Sequence, residues 1–138
     1  MIELDNFRKE HNELRDLCSI LDATIGDYSL RDNKIMCELI ERFVDEVNAH
    51  LKHEDRSVYR DLLSQHSKEA DQVADHFLGN TQELKRIFKE YSRDWCRKPH
   101  SENQHEKYIE ESRHMFKVVC DRIDFEEQKI FPYLEQRV

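Results

Sequence analysis

The sequence predicts an all-α protein, an antiparallel up-down-up-down four-helix bundle. Three observations carry that expectation. The chain has only 2 Gly and 2 Pro in 138 residues, and 38% of its residues are charged. That composition suits long helices with solvated outer faces better than it suits a sheet. Apolar residues recur at alternating spacings of three and four along four separate stretches, which places them on one face of each helix. The breaks between these stretches are short, and short connections make consecutive helices antiparallel. The length fits a single domain over residues 1–138 with room for a real core.

The first helix is expected from about Leu4 to Tyr28, with Leu4, Phe7, His11, Leu14, Cys18, Leu21 and Ile25 facing inward. Gly26 to Asp32 breaks it, and Asp32 is a suitable N-cap for the second helix. That helix runs from Asn33 to Gln65 with the inner series Met36, Ile40, Phe43, Val47, His50, Glu54. Ser67 caps a third helix, whose series is Val73, Phe77, Leu84, Ile87 or Phe88, Tyr91 and Trp95. Gly79-Asn80 is a site for a kink there, and Lys98-Pro99 ends it. Ser101 caps the fourth helix, with Ile109, Ser112, Phe116, Val119, Ile123, Glu126 and Ile130 inward. Pro132 is expected to end or bend that helix near Phe131.

Polar residues interrupt these inner series in a regular way. A helix that buries Phe43 and Val47 also buries His50 and Glu54, one turn apart and aimed the same way. A buried carboxylate is costly unless it is paired or binds a metal. His11 lies as far before the first turn as His50 lies after it, so the two face each other in an antiparallel pair. The same count brings His76 on the third helix, and Arg122 with Glu126 on the fourth, to that height within about one turn. A bundle core with His on one helix, HxxxE on the next, and a further His and Glu from the other pair is a metal cage. Imidazole with carboxylate suits iron, manganese or zinc.

These residues resemble the hemerythrin-like (HHE cation-binding) family over nearly the whole chain. The resemblance rests on His11, on His50-x-x-x-Glu54, and on His76 with Glu126-Glu127 leading into Ile130-Phe131-Pro132. Glu54-Asp55 followed by Val58-Tyr59 is a looser copy of the same ending. The resemblance implies a four-helix bundle holding a non-heme di-iron centre, with His11, His50, Glu54, His76 and Glu126 as metal ligands. The chain departs from the family at Arg122, where a second HxxxE histidine is expected, and at Gln72, where the oxygen carriers have a histidine. Arginine offers a metal no lone pair, which puts the second iron site in doubt.

The expected function is non-heme iron binding, with binding or sensing of a small diatomic or redox species (dioxygen, nitric oxide or peroxide) or handling of iron. The chain is expected to be a binding or sensing protein rather than an enzyme. A metal-free bundle kept as a regulatory interaction module is the alternative from another class. A di-iron redox or iron-donating repair enzyme is another. The net charge is −8 with both signs interspersed, so no basic stripe points to nucleic acid. No apolar run is long enough for a signal peptide or a membrane span. Cys18, Cys37, Cys96 and Cys120 have no CxxC spacing and read as reduced packing residues of a cytoplasmic protein.

Overall fold

The computed structural model describes residues 4–30, 33–96 and 102–136. Four long helices make the bundle: α1 (Leu4–Ile25), α2 (Lys34–Arg56), α4 (Lys68–Cys96) and α5 (His105–Phe125). Two short helices extend it, α3 (Val58–Leu63) after α2, and α6 (Phe131–Glu135) after α5. α1 packs on α2 and α5, and both of those pack on α4. Each long helix therefore lies beside its neighbours in sequence, and the chain closes with α5 against α1.

The ends of these helices follow from local chemistry. Asn33 caps α2, its side chain accepting from the Ile35 N–H at 2.8 Å. Asp32, the cap expected from sequence, lies outside the described residues, as do Lys98-Pro99 and Ser101. Ser67 accepts from the Ala70 N–H at 3.3 Å at the start of α4. α4 runs without interruption through Gly79-Asn80. The second helix, expected whole, breaks at Ser57, where φ −122° and ψ −68° leave the helical region.

The largest departure is at the end of α5. Glu126–Ile130 forms a π turn, closed by the Phe131 N–H bonding the Glu126 carbonyl. Pro132 has no N–H to offer, so the α pattern cannot run straight through it. The chain accommodates the proline by widening one turn before it, and helix resumes in α6. Pro132 therefore does not end the fourth helix.

Buried apolar side chains form two clusters. One holds Leu14, Leu21, Phe43, Phe88, Phe116 and their neighbours along the long helices. The other holds Leu4, Phe7, Tyr59, Leu62, Ala74, Phe77, Ile130, Phe131 and Leu134 around the short helices. Between them lie His11, His50, Glu54, Thr81, Arg122 and Glu126, all buried. Among the described residues no helix is long and apolar enough to cross a membrane.

Candidate metal centre

Each side chain of the polar layer arrives there by helical register. His11 follows Phe7 and precedes Leu14 on the inner face of α1. His50 and Glu54 continue the stripe of Phe43 and Val47 on α2. Glu126 stands one turn beyond Arg122 and Ile123, at the first residue of the π turn. His11, His50, Glu54 and Glu126 each offer a ligand atom, and these four atoms lie within 4.8 Å of one another.

The separations suit one shared ion. His11 Nε2 stands 3.3 Å from a Glu54 oxygen and 3.3 Å from a Glu126 oxygen. His50 Nε2 is 3.1 Å from the other Glu54 oxygen. Two ligands about 2.1 Å from a tetrahedral metal are roughly 3.4 Å apart. His50 Nε2, Glu54 Oε1 and Glu126 Oε1 are buried without a hydrogen-bond partner. Lone pairs facing one another at this range in a buried layer are costly unless a proton or a metal cation lies among them.

Two carboxylates behind the layer fix the rings. His50 Nδ1 donates to Glu10 at 2.9 Å, and His53 Nδ1 donates to the other Glu10 oxygen at 3.0 Å. His11 Nδ1 donates to Glu127 at 3.1 Å, and Arg15 holds Glu127 in turn. In the neutral ring a proton held on Nδ1 leaves the Nε2 lone pair directed into the layer, and a second proton on Nε2 lets the same ring bond the carboxylates there. Phe131 stacks on the His11 ring, with centroids 5.3 Å apart. The π turn lets Glu126 reach the layer while its neighbour Glu127 reaches the back of His11. Glu127 thus backs the His11 ring and does not stand in the layer where the helix-four histidine is expected.

Titration follows the same geometry. Burial alone would lower the His11 pKa, but its bonds to Glu126 and Glu54 outweigh that and raise it to about 9. Burial pushes Glu126 up, and the Glu54 charge beside it pushes it further, to about 7. Glu54 moves the other way: burial opposes ionisation, but bonds from His11 and His50 hold it well below the usual carboxylate range. The layer therefore holds one firm anion, with a second carboxyl poised near neutrality.

His76 requires a correction. It was expected inward, but it is exposed, and its ring meets Phe77 edge-on at 5.2 Å. Ala74, Phe77, Thr81 and Leu84 take the inner face of α4. His76, next to Phe77, is turned about 100° around the helix from that position. At the layer α4 presents the Thr81 hydroxyl and a peptide carbonyl, and Arg122 uses both.

Arg122 neither leaves the bundle nor merely pairs with Glu126. Its Nη1 donates to Thr81 Oγ1 and Asn80 Oδ1 at 3.2 Å each, and to the Phe77 carbonyl at 3.4 Å. Its other nitrogens face Glu126 at 3.6 Å and Glu54 at 3.8 Å. The guanidinium lies between the Phe77 and Tyr59 rings, 5.2 and 5.5 Å from their centroids. Tyr59 completes the surroundings by donating its hydroxyl to Glu126 Oε2. Sequence reasoning passed over Glu10 and Tyr59; the paired aromatic and acidic endings of the two halves were the available signal for Tyr59.

The model of the hemerythrin HHE cation binding domain matches residues 3–134. None of the curated proteins and none of the solved structures matches the chain.

Proposed function

The chain belongs to the hemerythrin HHE cation-binding family, and from that and the buried His/Glu layer we propose that it binds non-heme iron. The cation is held by His11, His50, Glu54 and Glu126. A pair of imidazoles with carboxylates suits ferrous iron and leaves coordination positions for a small ligand. The role that follows is binding or sensing dioxygen, nitric oxide or peroxide, or handling iron itself. The supporting observation is the set of buried atoms without a hydrogen-bond partner on His50, Glu54 and Glu126, gathered in one layer.

One observation favours the rival reading, a metal-free bundle kept as a regulatory module. A proton on His11 Nε2 and the Arg122 guanidinium can together balance both carboxylates without any metal. Metal content decides between them. His50→Ala and Glu54→Ala should each lower the iron bound per chain after anaerobic loading, and His105→Ala, with its ring near Gly26 at the far end of α1, should not. Equal iron in all three variants would leave the metal-free reading standing.

A further inference from the structure

We propose that the layer takes one divalent cation and not two, because the Arg122 guanidinium supplies the place and the charge of the second. The inference rests on the metal-binding reading above and concerns only how many ions that layer holds.

The argument starts from what Arg122 touches. Two-metal sites hold their ions about 3.5–4 Å apart, bridged by shared ligands. Glu54 and Glu126 are the two carboxylates able to bridge. Each already has a guanidinium nitrogen against one oxygen, at 3.8 Å for Glu54 and 3.6 Å for Glu126. The remaining nitrogen is tied to α4 through Thr81, Asn80 and the Phe77 carbonyl, so the group is held in place from behind. The phenol of Tyr59 takes another Glu126 lone pair. A guanidinium has no lone pair to offer a metal, so Arg122 cannot serve as a ligand from the place it holds.

Space agrees with charge. The void beside the layer measures about 10 Å³ and touches His50, Glu54, Arg122 and Glu126, but apolar side chains such as Leu14 and Leu84 make up most of its wall. A single water needs about 10–15 Å³, so the void leaves no room for a second hydrated ion. The donor set agrees too. α4 contributes no imidazole to the layer, since His76 is exposed, and the π turn after α5 contributes one carboxylate, Glu126. The two imidazoles present are both on the α1–α2 side, opposite Arg122. A second ion would have to share carboxylates with a fixed cation and bring no histidine of its own.

The test is stoichiometry on the full chain. The protein is stripped of metal, loaded anaerobically with ferrous iron, desalted, and assayed for iron per chain. The wild type should hold one equivalent, and after oxidation it should show the paramagnetic resonance of an isolated ferric ion. Arg122→His should hold two. Arg122→Gln removes the charge but keeps a group that can bond Thr81, so it guards against a variant that fails to fold; its single site should bind ferrous iron at least tenfold more tightly. Two equivalents in the wild type would overturn the inference and leave the metal-binding reading intact. No iron in the wild type, with His50→Ala indistinguishable from it, would overturn that reading and the inference with it. Unchanged affinity in Arg122→Gln would show that the guanidinium does not face the ion, and would also overturn the inference.

Discussion

Replacing Tyr59 by phenylalanine removes one oxygen atom from the layer and little else. The ring is fully buried, stacked on Phe77 with centroids 5.6 Å apart, and a phenylalanine ring fits the same space. Its hydroxyl donates to Glu126 Oε2. Burial and the nearby Glu126 and Glu54 charges hold the phenol far above its ordinary pKa, so it stays a neutral donor. Without it, that oxygen keeps only Arg122 Nε, 3.6 Å away and too far for a good hydrogen bond. Above about pH 7, where Glu126 is ionised, a hydrogen bond to its carboxylate contributes about 1.5–3 kcal/mol, and the oxygen left behind cannot reach water. Tyr59→Phe should therefore cost about 2 kcal/mol in the metal-free protein. For a chain of this size that lowers Tm by roughly 6–8 °C. Tyr91→Phe is the control: its hydroxyl pairs with Ser112, a neutral partner in the same kind of burial. That bond should contribute only about 1 kcal/mol. Urea and thermal denaturation of both variants, without metal, measure the difference. A Tyr59→Phe protein within 0.5 kcal/mol of wild type (a threshold of roughly the size of an ordinary surface substitution) would refute the reasoning.

Glu10→Ala should weaken ferrous iron binding by about 10–100-fold while barely changing stability, because it frees the His50 ring without emptying the core; titration calorimetry of the loaded and unloaded forms separates the two effects. In the metal-free protein His11 has its pKa raised from 6.5 to about 9, so its contribution to stability is fully present below pH 6.5 and is lost as pH rises through about 9. Denaturant midpoints at either end of that window should show this loss, and it should be absent in His11→Gln. Cys18 is buried and its bond with Cys120 raises its pKa, while the same bond lowers that of the half-buried Cys120 to about 7. A thiol reagent should therefore modify Cys120 in the native protein, faster as pH rises through about 7, and reach Cys18 only on unfolding; mass spectrometry of the labelled peptides reads both, and equal native rates would contradict the packing of α1 against α5.

The layer on α1, α2 and α5 was legible because its residues stand at apolar places in unbroken series. His50 and Glu54 simply continue Phe43 and Val47. α4 was harder to read. Between Phe77 and Leu84 its inner position is Thr81, a polar residue that hides the stripe, and without it His76 competes with Phe77 on equal terms. Ser57 and the π turn were illegible for another reason: a break in the backbone at one serine, or an extra residue in one helical turn, leaves the composition unchanged, and Pro132 announces a disturbance but not its form. Glu10 and Glu127 reach the histidines from the rim, outside any inner series, so periodicity passes over them. Arg122 was legible as an anomaly. Its anchors, Thr81 and Asn80, lie more than forty residues away and only folding brings them near.

The split core has a consequence for kinetics. His11, Glu54 and Glu126 expose none of their surface, so no ion reaches them through the closed bundle. Above the layer stands the larger apolar cluster, spread over four long helices; below it stands the smaller one, built around α3, α6 and the first turns of α1. Segments that share fewer contacts open first, at a fraction of the free energy of global unfolding. If the layer holds an ion as proposed, its exchange with solvent is limited by how often the lower end opens, whatever the equilibrium affinity. Such a protein would hold its ion through brief scarcity and fill slowly after it, keeping a memory of past supply longer than its binding constant alone implies.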